Sequence, residues 1–354
     1  MKITLAATLR HYDKKNFIKD LLAGIIIMAV SIPISMGYAQ IAGLPAVYGL
    51  YGSVFPILIF ALFSTSPQFI FGVDAAPAAL IGSALLSLHI ESGSEEAMAV
   101  VPVLTFFVAL WLLAFLYYES RKTGQLYIGT GYGRIHYRNL YDYYTNAGTE
   151  ADGRIGRNRR VFELTEHIIK TAKDINWQSV VLGLAALVLL LVCKKLIPKF
   201  PMAVLLMIAG AGMTYLLPIE DWGVQTLASV DTGLPHWAVP DFSVISIREA
   251  VTISLSVAVV IMAETLLAEN NFAQKNGYRI NDNQEILAFS MGNFLAAFTG
   301  CCPINGSVSR TAMGEQYQAK TQLTGIIAGL SMIVVLSVRP DLSVIFQFLC
   351  LQLL

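Results

Sequence analysis

Charged residues are scarce in this sequence. Asp, Glu, Lys and Arg make up 14% of its 354 residues, whereas 55% are hydrophobic and the mean hydropathy is +0.61. A soluble domain carries about 25% charged residues, so this composition indicates a protein embedded in lipid. The net charge is zero, and the sequence therefore lacks the basic surface by which nucleic-acid-binding proteins hold phosphates. We expect no nucleic-acid partner.

Cysteine and histidine are also sparse. The five histidines are scattered, and no HExxH-type metal motif occurs. The cysteines form neither a disulfide framework nor a metal-ligand spacing; they are Cys193, Cys301, Cys302 and Cys350. The sequence therefore predicts no cofactor and no metal site. A membrane-embedded enzyme is a weakly supported alternative, because no nucleophile–base pair is visible.

Long apolar runs make up most of the remaining sequence. A helix that crosses a bilayer needs about 20 apolar residues. Runs of roughly this length are 20–42, 46–64, 97–117, 177–194, 203–217, 249–268 and 322–337, and shorter ones are 75–90 and 285–300. We therefore predict an all-α polytopic membrane protein surrounded by a lipid bilayer.

Positive charge predicts the orientation of these helices. The first apolar run follows Arg10, Lys14, Lys15 and Lys19, and we see no cleavable signal peptide. By the positive-inside rule the N-terminus is cytoplasmic, and the protein is predicted to be a multi-pass protein of the inner (plasma) membrane. Later cytoplasmic turns agree with this orientation; they carry Lys194, Lys195 and Lys199 in one case and Lys275 and Arg279 in another.

Two segments interrupt the apolar pattern with Gly or Pro before small residues. They are "SPQFIFGVDAAPAALIGSALL" (66–86) and "CCPINGSVSRTAMG" (301–314). In lipid, non-helical backbone is tolerated only where it is buried or lines a cavity, and a pair of such breaks points to a transporter's central site. Two half-helices that start near mid-membrane direct their free N–H groups and positive dipole ends at a bound anion. The alternative is an ordinary Gly/Pro kink.

Two longer stretches resemble the sulfate permease (SulP) family of anion transporters. "SIPISMGYAQIAGLPAVYGLYGSVFPILIFALFSTS" (31–66) is similar to its first two helices. The stretch 264–329, with its acidic start, NGYRIN-NQE loop and GSxSR-T break, is similar to its eighth to eleventh helices. The resemblance covers roughly 1–117 and 162–336. It implies a 7+7 inverted-repeat transporter fold with a core and a gate, incomplete in this chain, and anions bound between the third and tenth helices.

The resemblance also divides the chain. Residues 1–118 would hold helices one to four, 162–217 helices six and seven, 218–248 an extracellular or periplasmic loop, and 249–336 helices eight to eleven. The cytoplasmic STAS domain that family members commonly add is expected to be absent. Dimers are common in the family, which makes a homodimer the expected assembly.

Candidate site residues follow from the same resemblance, position by position. Asp74, Ala75 and Ala76 stand at the start of the third helix, and Ser307, Val308 and Ser309 at the start of the tenth. Ser35 and Tyr38 lie on the first helix, Glu264 occupies the acidic position of the eighth, and Arg310 matches the arginine that follows serine. Ile34 stands where the family often has Gln, so that contact lacks its usual side chain.

Three of these residues have two alternative roles each. Asp74 either caps its helix or exchanges a proton. Arg310 either attracts anions or pairs with an acid. Glu264 either carries a coupled proton or forms a structural hydrogen bond, since an ionisable residue inside a membrane is a functional candidate by default.

The function that the resemblance implies is secondary active transport of an inorganic anion by alternating access, with sulfate as the leading substrate. Proton or sodium symport is the expected coupling. Bicarbonate or a small dicarboxylate is the alternative substrate. A second alternative is a non-functional product of a damaged transporter gene.

The segment 119–161 prompts that second alternative. It is polar, rich in Arg, Tyr and Gly, and stands where the family has its fifth helix. When the sequence from Lys122 onward is back-translated into codons and the reading frame is shifted by one nucleotide, the new frame can encode an apolar span similar to that helix. A shift in the other direction gives "SVIFQFLCLQLL" (343–354) a turn like the one the family shows after its eleventh helix, which places the out-of-frame tail at about 337–354. We therefore predict that both segments are read out of frame; a lineage-specific insertion is the alternative for the first.

Overall fold

A computed structural model of the chain describes residues 4–10, 12–121, 177–196, several positions between 202 and 213, and 233–337. The segment predicted to be out of frame lies outside the described residues from position 122 onward, and so does the tail from 338. Most of the predicted seventh helix and part of the predicted loop 218–248 also lie outside them.

In the described residues up to 121, the first half contains five helices and one short strand. After 3-10 turns at Ala7–Leu9 and Lys14–Asn16 come α1 (Phe17–Ile41), α2 (Val47–Gly52), α3 (Phe55–Phe63), β1 (Phe71–Gly72), α4 (Ala75–Ser87) and α5 (Glu95–Arg121). The run 46–64, predicted as one span, is therefore two short helices. Pro56 explains the break, because proline lacks an N–H and is tolerated in the first turn of a helix, where it opens α3.

The described part of the second half begins with α6 (Trp177–Leu196). It continues with α7 (Ile247–Asn276), α8 (Asp282–Phe298), β2 (Asn305–Gly306), α9 (Val308–Gln316) and α10 (Leu323–Ser337). Between α7 and α8 the chain turns sharply because Gly277 has a left-handed φ of 73° and Asn281 caps α8 by accepting from the Gln284 N–H. By length and composition, α1 with its preceding turn, α5 and α7 are apolar and long enough to cross a membrane.

The two halves pack in a reciprocal way. The first helix of the first half, α1, packs against α9 and α10, and the first helix of the second half, α7, packs against α4 and α5. Likewise, α3 packs against α10 and α8 against α5, and α3 and α8 pack against each other. Each half therefore supplies the packing surface that the other half needs, as expected for two repeats of one helix arrangement.

One buried carboxylate fastens α1 to the start of α10. Asp20 is fully buried and accepts hydrogen bonds from the Lys320 N–H at 2.6 Å and from the Thr321 hydroxyl at 2.8 Å. Backbone N–H groups that precede a helix are thus satisfied without water. This contact orders the segment between α9 and α10.

The strands β1 and β2 pair with each other in an antiparallel manner at the centre of the molecule. Phe71 lies opposite Gly306, and Gly72 lies opposite Asn305. The Phe71 ring stacks nearly parallel to Phe60 and Phe289, with centroid separations of 4.7 and 5.6 Å. Buried aromatic rings therefore pack beside the strand pair and hold it in the interior.

Candidate functional site

The two half-helices begin at the same strand pair. Strand β1 leads through Asp74 into α4, and β2 leads through Ser307 into α9. The pairing extends one residue further, because the Ser307 N–H donates to the Ile70 carbonyl at 2.8 Å. The two segments predicted as helix breaks, 66–86 and 301–314, are thus brought together in space, and each is an extended strand followed by a new helix.

Asp74 caps α4. Its backbone is extended, and its side chain accepts from the Ala75 N–H at 2.8 Å. This bond is the capping role that the sequence predicted, and the proton-exchange role stays a prediction. Ala75 is exposed and Ala76 half-buried in the first turn, so both present backbone N–H groups with only a methyl group beside them.

The start of α9 differs from that of α4. Ser307 is the residue before α9, and among the described residues no side chain caps this helix end. The Ser307 hydroxyl instead lies 3.3 Å from the Ser309 hydroxyl. Val308 is 48% exposed and Ser309 is exposed. Uncapped N–H groups at an accessible helix start are suited to an external anion.

Arg310 lies beneath this helix start and is 1% exposed. Its Nη2 donates to the Val73 carbonyl, whereas its Nε has no partner among the described residues. The side chain reaches β1 closely, since a Cβ added to Gly72 would lie 3.0 Å from the Arg310 Nη1. Asp74 and Tyr38 both act electrostatically on the guanidinium. A buried positive charge therefore lies between the two helix starts.

Glu264 comes from α7 and is exposed. It accepts from the Asn305 Nδ2 at 3.0 Å, and the Asn305 Oδ1 is buried without a partner among the described residues. Asp74 also acts electrostatically on Glu264. The structural hydrogen bond is thus observed, and the proton-carrying role stays a prediction.

Tyr38 and Ser35 differ in their surroundings. Tyr38 is half-buried, and Asp74 and Arg310 act on it electrostatically, so it belongs to the group of site residues. Ser35 is fully buried, and its hydroxyl lies 2.9 Å from that of Ser53. The described contacts therefore join Ser35 to the turn between α2 and α3 rather than to the helix starts.

Sequence reasoning missed two threonines that hold the strands in place. The Thr311 hydroxyl accepts from the Ile70 N–H at 3.0 Å and donates to the Ser307 carbonyl at 2.6 Å. The Thr265 hydroxyl accepts from the Gly306 N–H at 3.1 Å. Both residues adjoin predicted site residues in the sequence, but a threonine within an apolar helix gives no signal of its own.

The residues that the structure brings together are of the kinds that suit an oxyanion, and the predicted anion site stays a prediction. It combines two helix N-termini, one buried guanidinium, serine hydroxyls and two carboxyl groups. Within the part of the chain that the structure describes, no group of three His, Cys, Asp or Glu side chains could hold a metal ion. Its positive potential comes from backbone dipoles and from Arg310.

Comparison with known sequences gives the family. The sulfate permease family model matches residues 17–117 and 147–351. A probable sulfate transporter of Mycobacterium tuberculosis is 27% identical over 92% of this chain and 58% of its own length. Prestin of Danio rerio is 27% identical over 96% of this chain and 49% of its own length. The chloroplastic sulfate transporter 4.1 of Arabidopsis thaliana is 28% identical, over 91% and 48% respectively. The chain thus spans about half the length of these curated relatives.

Solved structures give the same fold. The structure of SLC26A9 superposes with a TM-score of 0.74 at 20% identity, over 97% of this chain and 58% of that one. The transmembrane domain of a cyanobacterial bicarbonate transporter, BicA, superposes with a TM-score of 0.70 at 16% identity, over 96% and 87%. The predicted fold class, a helical membrane protein of the inverted-repeat transporter type, is therefore confirmed. The match to the family model, together with the fold of the chain and its paired half-helices, shows that this chain belongs to the sulfate permease family.

Proposed function

We propose that the protein is a secondary active transporter of inorganic anions, with sulfate as its leading substrate. The observation that carries this proposal is the meeting of the α4 and α9 starts at one strand pair with the buried Arg310 between them. Alternating access would move this site from one side of the membrane to the other. Bicarbonate or a small dicarboxylate is the second candidate substrate, supported by the fold shared with BicA.

The physical basis is the field at the helix starts. A helix N-terminus carries roughly half a positive charge, and its first N–H groups have no partner within the helix. At α9 these groups are uncapped and accessible through Val308 and Ser309. The buried Arg310 guanidinium, in the first turn of α9, adds a full positive charge. An oxyanion at the α9 start would therefore receive hydrogen bonds from the backbone and attraction from a charge that water does not screen.

Charge balance favours a coupled cation. Asp74 and Glu264 bring two carboxyl groups to the site, whereas Arg310 supplies one positive charge. If both carboxyls were ionised, a divalent anion would enter a site with excess negative charge. One proton on Glu264 removes this excess. We therefore expect anion binding and proton uptake to be linked, with sodium as the other candidate.

Uptake into proteoliposomes tests the function. Radiolabelled sulfate should accumulate under an inward proton gradient, and excess sulfate should compete more strongly than bicarbonate or succinate. Glu264→Gln should abolish the accumulation, because the site then has no proton to exchange. Glu249→Gln is the matched control, since Glu249 is an exposed acid on the same helix. Unchanged pH-dependent uptake by Glu264→Gln would remove Glu264 from the mechanism.

We also propose that 119–161 and 337–354 are read out of frame. The family model leaves 118–146 unmatched, which supports a foreign segment there. It matches 147–351, so the proposal for 147–161 and for the tail rests on the sequence pattern alone. Resequencing the gene across codons 115–165 and beyond 330 tests this. One-base changes that restore an apolar span would support a full-length transporter. A confirmed frame through 119–161 would favour an insertion, and transport would then be tested on the chain as it stands.

A further inference from the structure

A second group of carboxyls lies buried away from the anion site. Glu285, in the first turn of α8, is fully buried. It accepts from the Ser64 hydroxyl at 2.8 Å, from the Thr65 N–H at 2.6 Å and from the Thr65 hydroxyl. Three donors from the segment after α3 therefore converge on this one carboxyl. Such a set of donors favours the ionised form.

Glu269, on α7, is a second carboxyl that interacts with Glu285. It is fully buried, and neither of its oxygens receives a hydrogen bond from any donor among the described residues. Its carboxyl lies within hydrogen-bonding reach of Glu285. An ionised Glu269 would be an unpaired buried anion against a second anion, which is costly. A protonated Glu269 would instead donate to Glu285 and give both groups a partner.

In the part of the chain that the structure describes, no cation compensates an ionised Glu269. The groups that act on it electrostatically are Glu285 and Asp282, and both are acidic. Tyr278, in the loop between α7 and α8, also interacts with Glu269, but burial raises the pKa of Tyr278 to about 12. Its hydroxyl therefore keeps its proton and does not act as a base for Glu269. The nearby cation on α7, Lys275, forms an exposed ion pair with Glu315 of α9 at 2.6 Å.

We propose that Glu269 and Glu285 together bind one proton, at a site separate from the anion site. Glu264 and Glu269 are five residues apart on α7, so their side chains leave the helix about 140° apart. Glu264 is exposed and Glu269 is buried, in agreement with this separation. The proton joins α7 and α8 of the second half to the Ser64–Thr65 segment of the first. Its loss would place two adjacent negative charges at the contact between the halves.

Infrared difference spectroscopy in H2O and D2O tests the proposal on the purified chain. The wild type should show the C=O band of a protonated buried carboxyl at neutral pH. Glu269→Gln should lose the intensity of one such carboxyl, whereas Glu249→Gln should retain it. The amide introduced by Glu269→Gln has the size of the acid and can donate to Glu285, so folding should be preserved. No band in the wild type, or an unchanged band in both Glu269→Gln and Glu285→Gln, would overturn the proposal.

Thermal melting against pH gives a second readout. An unfolded glutamate releases its proton above about pH 4.3, whereas the folded pair keeps it. Folding then takes up one proton, and the folding equilibrium constant falls about tenfold per pH unit above that point until the pair itself titrates. Glu269→Gln should lack this slope. A wild-type melting temperature that rises with sodium and does not fall with pH would mean that the pair holds a metal cation, which contradicts the proposal. Neither readout depends on transport, so each stands or falls independently of the proposed function.

Discussion

The starts of α4 and α9 have the same backbone arrangement, a short strand followed by a helix, but they carry different side chains. Both helices follow a two-residue strand of one ladder. At α4, the Asp74 carboxylate already accepts from the first helical N–H, whereas the α9 start has no side-chain cap among the described residues and has Arg310 beneath it. A carboxylate and an external anion compete for the same N–H groups. If the protein binds an anion as we propose, we therefore expect the anion to lie nearer to α9, with Asp74 weakening the α4 end.

The largest effect is expected from removing the charge on the α9 side. Arg310→Gln should lower sulfate affinity by at least about 100-fold, because losing a buried charge contact costs about 3 kcal/mol or more. Sulfate binding to the purified protein, followed by calorimetry, measures this loss. Arg248→Gln is the control, since Arg248 is exposed on α7. Wild-type affinity in Arg310→Gln would show that the helix starts bind the anion without it.

The next effect concerns the packing of the two strands. A Cβ added to Gly306 would lie 2.1 Å from the Phe69 ring and 2.6 Å from the Thr265 methyl group, whereas one added to Gly72 would lie 3.0 Å from the end of the Arg310 side chain. Gly306→Ala should therefore destabilise the protein by about 2–3 kcal/mol, and Gly72→Ala should cost less. Thermal melting of the two variants side by side measures the difference. Equal losses would mean that β1 is packed as tightly as β2.

The smallest effects are expected from substitutions at the helix starts, which separate the capping hydrogen bond of Asp74 from its negative charge. Asp74→Asn keeps an acceptor for α4 but removes the negative charge, so sulfate should bind several-fold more tightly, by about 1 kcal/mol. Asp74→Ala should also lose about 1 kcal/mol of stability with its cap. Ser307→Ala should change stability by less than about 0.5 kcal/mol, because among the described residues this side chain makes no capping hydrogen bond to α9. Concentration-dependent sulfate uptake and melting curves measure both. Weaker sulfate binding by Asp74→Asn would contradict the expectation that the Asp74 charge weakens anion binding at the α4 start.

Local sequence patterns predicted much of the fold. The short apolar runs 75–90 and 285–300 correspond to α4 and α8, and the Gly/Pro breaks mark the two strands. The run 46–64 corresponds to α2 and α3. Hydropathy did not show the break between them, because it averages over a residue such as Pro56 that starts a new helix. The pairing of β1 with β2 joins residues far apart in sequence, and no local periodicity specifies it.

The site was predictable only in part, for a similar reason. Ser307, Ser309 and Arg310 are contiguous with a visible break, and the resemblance named Glu264. Thr265 and Thr311 act by bonding to backbone that comes from other elements, which a linear pattern does not show. The Glu269–Glu285 pair forms across the turn between two helices. Its two members look in sequence like a polar helix end and a first-turn acid.

The length of the strand pair has a consequence for insertions and deletions. One residue added to β1 would advance the start of α4 by about 3.3 Å relative to α9 and reverse the faces of the residues that follow. It would also move the Val73 carbonyl, which follows β1, away from the Arg310 guanidinium that donates to it. Among the described residues the turn at 88–94 pairs with no strand, and its backbone hydrogen bond across the fold is the Gly93 N–H donating to the Gly43 carbonyl at 2.9 Å. We expect related proteins to vary in length at such turns and to keep the spacing between 70 and 75 and between 304 and 308 constant.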